Sequence, residues 1–283
     1  KQYIAHTPHG GYFGPIRPRE PFGQHRFGGA NVQMLSILAD LLPAKASILR
    51  PAAERAREML DDGLTLRLDA ARNGERIEAV VRLVNSAGHK YPSGFPSRRL
   101  WLHLAVADRN GRVVFESGAW NPATGEIRAL EGRPGYVEPH RDRIADPNQT
   151  AIYEAEMADP HGQATVSLMR AGRTLKDNRL LPLGFRTERG QPAGLEAHSL
   201  APVGVDGDAD FGPGADTVRY SIAVDPAAGP WTISVEALYQ SVKPAHAAVF
   251  EPGRSAEEAV FLRALTAERR APSVVERAET RVR

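Results

Sequence analysis

At Leu64 the hydrophobic period of the chain changes from that of a helix to that of a strand. Before it, Met34, Leu35, Ile37, Leu38, Leu41 and Leu42 recur at i, i+3, i+4 and i+7 up to Pro43. Ala52, Ala53, Ala56, Met59 and Leu60 repeat that spacing between Pro51 and Gly63. Such patterns place apolar side chains on one helical face. They predict helices over Asn31–Leu42 and about Pro51–Asp62, paired as a hairpin. Proline in the first turn of the second and glycine just past its end fit the usual asymmetry of helix ends. From Leu64 onward, Leu66, Leu68 and Ala70 alternate with Thr65, Arg67 and Asp69, the period of a half-buried strand.

The period of two then persists. Asn73-Gly74 centres a turn into Arg76–Asn85, a strong hairpin signal. Arg99–Asp108 turns at Asn110-Gly111 into Arg112–Ser117, and further strands are predicted over Gln149–Met157, Ala164–Leu168, Val218–Val224 and Trp231–Tyr239. Many short strands with turn signals between them predict a mainly β chain, an antiparallel immunoglobulin-like β-sandwich. Ser255, followed three residues later by Glu258, opens a C-terminal helix with a capping box. The charged stretch Arg269–Arg283 reads as a fraying tail. Lys1–Phe27, rich in Gly, Pro, His and Arg, reads as an extended N-terminal arm lying on a partner surface. The expected division is arm and hairpin over 1–63, sandwich with long loops and C-terminal helix over 64–283. A chain opening on Lys1 rather than Met is expected to be a mature product or a processed fragment.

Net charge of +2 is too balanced for a nucleic-acid binder, which needs a concentrated basic face. No apolar run approaches the roughly 18 residues of a membrane span, so no transmembrane segment is expected. The chain has no cysteine, which excludes a disulfide scaffold and thioether-linked haem alike. No dinucleotide fingerprint, phosphate loop, nucleophile elbow or zinc motif is present.

Two stretches concentrate polar chemistry. Val205–Asp216 carries Asp206, Asp208, Asp210 and Asp216 on a glycine-rich loop. Crowded carboxylates are relieved by a hard cation, and Ca²⁺ accepts six to eight oxygens, so these four are candidate calcium ligands. Asx-turns in a solvated loop are the simpler account of the same residues. Asn85–Arg99 joins two core strands through Gly88, Pro92, Gly94 and Pro96, with His89, Lys90, Tyr91, Ser93, Ser97, Arg98 and Arg99 between them. Proline and glycine make such a loop ordered, and polar side chains on a stiff loop suit a binding or ligating role. His140 in Pro-His-Arg-Asp could coordinate or could simply serve its turn, while His103 reads as a satisfied sheet histidine.

The string Gly88–His103, G-H-K-Y-P-S-G-F-P-S-R-R-L-W-L-H, resembles the G-H-K-x-P-[TS]-G-[YF]-P-S-R-R-x-W-x-H signature in C-terminal regions of bacterial multihaem c-type cytochromes. Further pieces match in the same order: His25–Asn31, Val113–Gly118, Pro139–Asp142, Ile152–Glu154, Leu175–Phe185, Asp208–Tyr220 and Leu238–Pro244. The resemblance implies the haem-free end of such a cytochrome, or a subunit lacking the haem-bearing portion. It implies a periplasmic or extracellular location and a haem-bearing cytochrome domain or subunit as partner. Axial histidines in multihaem chains can come from distant sequence. His89, on rigid backbone, and His25, before Phe27-Gly28-Gly29, are on this reading candidate distal ligands to haem c of a partner or of a missing N-terminal portion; the competing account makes His89 a loop-ordering hydrogen-bond donor to backbone carbonyls. The helical hairpin would then face either the haem domain or the sandwich. A reading from another class is a stand-alone ligand- or carbohydrate-binding sandwich, with Tyr91, Trp101, Trp120 and Tyr136 as stacking platforms.

Overall fold

The computed structural model describes residues 29–130, 133, 135–185, 201–250 and 254–283. Helix α1 (Val32–Leu41) and helix α2 (Ala46–Asp62) form the expected hairpin. Helix α2 begins five residues before Pro51, rather than at it. Proline lacks an N–H, so within a helix it leaves one carbonyl without its donor; near an exposed N-terminal turn, water replaces that donor cheaply.

Strands β1 (Leu64–Asn73), β2 (Arg76–Asn85), β9 (Ala215–Ala223) and the short β5 (Arg143–Ile144) form one sheet in the order β1-β2-β9-β5. The second sheet runs β11 (Ser273–Val282), β10 (Trp231–Gln240), β3 (Arg99–Ala107), β6 (Ile152–Ala158), β7 (Ala164–Thr165). Strand β4 (Val113–Ser117) pairs with β3, and β8 (Arg173–Asp177) with β6. Pairing is antiparallel except between β5 and β9. Asn73 lies opposite Arg76, so the first hairpin turns on Gly74-Glu75, one residue later than the sequence implies; Gly74 takes φ +62° as the first central residue.

The two sheets close on one core. Ile77, Ala79, Val81 and Leu83 of β2 and Val218, Tyr220 and Ile222 of β9 meet Leu100, Leu102, Leu104 and Val106 of β3 and Ile233, Val235 and Ala237 of β10. Each is buried because the strand period presents alternate residues to the same face, and each of the larger aliphatic ones contributes on the order of 1.5–3 kcal/mol. The chain is thus mainly β, a sandwich with a helical hairpin before it and helix α4 (Ala256–Ala264) near its end. Ser255 caps α4, its Oγ accepting from the Glu258 N–H at 3.1 Å.

The hairpin docks on the sandwich by one face only. Leu60 and Ala30 join the core, the Tyr91 hydroxyl donates to the Leu60 carbonyl at 3.1 Å, and Tyr239 donates to that of Ala30 at 2.6 Å. Ile37 packs with Ala247 of helix α3 (Pro244–Ala247) and with Leu265. Leu38, Leu41, Leu42 and Ile48 stay exposed on the other side. Among the described residues, no helix is long and apolar enough to cross a membrane.

The charged C-terminal stretch is not a fraying tail. After helix α5 (Ala267–Arg270) it forms β11, an edge strand paired along β10, with Val275 and Val282 buried. Its charges are what an edge strand carries to discourage pairing with other chains. Removing Ser273–Arg283 is expected to lower the unfolding free energy by roughly 3 kcal/mol or more, the worth of two buried valines. Chemical denaturation checks this, and a merely frayed tail would leave the midpoint unchanged.

Candidate functional site

The loop between β2 and β3 is ordered by one buried amide. Asn85 Nδ2 donates to the carbonyls of His89 (2.8 Å), Leu181 (3.0 Å) and Leu180 (3.1 Å), while its Oδ1 accepts from Ala87 N–H at 2.9 Å. Lys90 Nζ lies 2.7 Å from Asp177, which Arg179 also grips through two 2.7 Å bonds. Burial pulls the Lys90 pKa down despite that carboxylate. Arg98 donates at 2.6 Å to both the Ser93 carbonyl and Asn31 Oδ1, tying the loop to the start of α1.

Behind the loop lies a buried ionic cluster. Glu154 of β6 meets Lys176 of β8 at 3.4 Å and Lys243 at 3.1 Å, all three side chains about 5% exposed or less. Lys176 also donates to the carbonyls of Glu138 (2.7 Å) and Ile152 (3.0 Å), and Lys243 contacts Glu156 as well. Arg99 is buried beside them, donating to Gln240 (2.9 Å) and the Gly125 carbonyl (3.0 Å) with its guanidinium over the Trp101 ring. Burial opposes ionisation of Glu154, but Lys243, Lys176 and Arg99 outweigh it and hold its pKa below the usual carboxylate range. Glu156 goes the other way: burial, then the neighbouring Glu154 charge, push it up to about 7. The cluster floors a cavity of about 520 Å³ rimmed by Arg133, Tyr136 and Glu138.

A second cluster joins the acidic loop to His140. His140 Nε2 lies 2.8 Å from Asp208, and Nδ1 lies 3.0 Å from Asn178 Nδ2. The orientation of that amide is set by backbone: Asn178 Oδ1 accepts from Glu154 N–H, and Nδ2 donates to Ile152 C=O. Nδ1 of His140 is therefore the acceptor, and the ring proton sits on Nε2, donated to Asp208. Asp216 accepts from the Tyr153 hydroxyl at 2.6 Å and the Thr217 N–H at 2.7 Å, and burial pushes its pKa up to about 6.

Of the four aspartates, Asp208 and Asp216 come together with His140, their ligand atoms within 4.8 Å of one another. Asp206 is exposed, and Asp210 pairs with Arg219. The mutual repulsion of these carboxylates is thus relieved in part by the protein's own donors. A cation held by His140, Asp208 and Asp216 would take the place of the Nε2 proton.

His89 is exposed, with Nδ1 3.0 Å from the Lys90 carbonyl. A carbonyl only accepts, so that contact puts the ring proton on Nδ1 and leaves the Nε2 lone pair open. His89 borders a groove of about 440 Å³ against the C-terminal end of α2. His25 lies outside the described residues. His103 is engaged by Glu116 at 2.9 Å, as expected of a sheet histidine. Trp101 (0% exposed) and Tyr91 (3%) are core side chains, so neither is a stacking platform for a sugar. A strand's bulky aromatics serve equally in core and platform, and only the sheet-to-sheet packing separates the two. Glu154, Lys176, Asn178 and Lys243 lie in stretches that carry the resemblance without a site role of their own, and nothing local to any of them names its partners.

No family model and no curated protein matches the chain. Among solved structures, it is similar to a penta-heme cytochrome c552 from Thermochromatium tepidum, with 19% identity and a TM-score of 0.48. That similarity covers 80% of this chain and 41% of the cytochrome, and at this level it bears on neither function nor partner.

Two outcomes test the ionic cluster. Glu154→Gln leaves two buried ammonium groups facing an uncharged amide, and is expected to cost about 3–5 kcal/mol in denaturant unfolding. Glu156 binds its proton more tightly folded than unfolded, so stability falls as pH rises from the ordinary carboxylate range through about 7. Glu156→Gln should flatten the melting temperature between pH 5 and 8 and raise it at pH 8.

Proposed function

We propose that this chain is a haem-free docking module of an exported multihaem c-type cytochrome assembly, covering and orienting haem-bearing domains. With no cysteine it attaches no haem through thioether bonds, so any haem c it meets belongs to other sequence. The observation that carries the reading is the convergence of the motifs resembling that family. Lys90, Arg99, His140, Glu154, Lys176, Asp177, Asn178, Asp208 and Lys243 come from separate motifs, yet meet in adjoining polar clusters at one end of the sandwich. A resemblance carried by interlocking residues is harder to reach by chance than one carried by a single loop.

Two surfaces suit docking. Leu38, Leu41, Leu42 and Ile48 give the hairpin an exposed apolar side, the kind of surface that marks an interaction site. His89 offers an open Nε2 on backbone stiffened by Asn85, which is what a distal haem ligand requires. The role is one of placement and not of catalysis by this chain alone.

Affinity purification of the native protein through a tag on this chain is expected to recover c-type haem, read from its Soret band and pyridine haemochromogen. Leu41→Asp with Ile48→Asp should cut that haem by tenfold or more where the haem is on another subunit, without lowering the melting temperature of the isolated chain. His89→Met should alter the low-spin haem spectrum and shift one reduction potential. Recovery of the chain free of any c-type haem overturns the reading.

A further inference from the structure

Between the β2–β3 loop and helices α1, α3 and α4 lies a second cavity, of about 500 Å³, on which the docking reading makes no demand. Its walls include Met34, Val242 and Phe261, and exposed Phe95, Val249 and Phe250 stand around it. No carboxylate lines it among the described residues. Cavities of this size with apolar walls and few polar groups are the usual form of a small-molecule site.

The polar group at issue here is His246. Its residue is 7% exposed, and neither ring nitrogen has a hydrogen-bond partner among the described residues. Phe95 approaches the ring edge-on at 6.0 Å. Burial, then the Lys243 charge, pull its pKa down to about 4, so the imidazole is neutral near pH 7. An unmade hydrogen bond on a buried group is a standing cost to the fold, and leucine of similar size would avoid it. Histidine here is explained if something else completes its bonds.

We propose that this cavity binds an uncharged, flat aromatic molecule carrying one hydroxyl or carbonyl group, hydrogen-bonded to His246. A neutral imidazole offers one donor and one acceptor, which serves either group. A cation would meet Arg98, with no carboxylate among the described lining residues to balance it. An anion would find Arg98 already committed to Ser93 and Asn31. Phe250 and Phe261, edge to face at 5.3 Å, supply the aromatic wall against which a flat ring packs.

The test titrates the whole chain with 1-naphthol and with naphthalene, which share a ring system but differ in the hydroxyl. Wild type is expected to bind 1-naphthol saturably at one site and more tightly than naphthalene. His246→Leu should weaken 1-naphthol about fivefold, the worth of one neutral hydrogen bond, leave naphthalene unweakened, and raise the melting temperature. Val249→Trp, which fills the mouth from an exposed position, should abolish both without unfolding the chain. Absence of saturable 1-naphthol binding overturns the proposal, as does equal affinity for the two probes. So does an equal change for both in His246→Leu; if that variant does not fold, the wild-type preference and Val249→Trp decide. None of these readouts depends on haem, so failure here and failure of the docking reading are distinguishable.

Discussion

Glu154 sits on a strand where water cannot reach it, and the polar end of the sandwich is arranged to keep it charged. Removing a carboxylate from water costs several kcal/mol, returned only when cations arrive with good geometry and their remaining protons are satisfied. Here they come from three places: Lys176 on β8, Lys243 beyond the end of β10, and Arg99 at the start of β3. Sliding one of these strands by a single residue would turn its charge to the other face. The cluster therefore penalises wrong registers, which would leave a buried charge without its partners. It does so beside a ladder that is already irregular, since β6 and β8 shift register between Glu156 and Met157.

That constraint also positions the loop before β3. Arg99, the first residue of β3, closes it through Gln240 and Gly125, and Asn85, the last of β2, anchors its start through Leu180 and Leu181, just beyond β8. The loop is fixed at both ends by elements that the ionic cluster holds in register. His89 inherits its rigidity from this arrangement.

The sandwich was legible because alternation reports burial directly: β2 buries Ile77, Ala79, Val81 and Leu83 and exposes the residues between them. The same logic failed at β11, whose glutamates and arginines alternate with too few large apolar residues to mark a buried face. An edge strand needs only modest burial and benefits from charge, so it imitates a solvated tail. Helix α2 starts earlier than its proline implies, because Pro51 lies inside the helix and not in its first turn. The clusters were legible as separate motifs and illegible as partnerships. Nothing local to Asp208 or Asp210 names His140 or Arg219 as the group that bonds to it.

The histidines make the same point in functional terms. His103 bonds Glu116 through Nε2 with Glu236 3.7 Å from Nδ1, and His140 has both ring nitrogens engaged, so His140 can serve a ligand only by breaking a bond already made. His89 spends one nitrogen on its own loop and keeps the other open at the surface. His246 is buried and spends neither on a partner among the described residues, a standing cost to the fold. Residue type is identical in all four. What a histidine can do is set by which of its nitrogens the fold has already used, and that depends on partners far away in the chain.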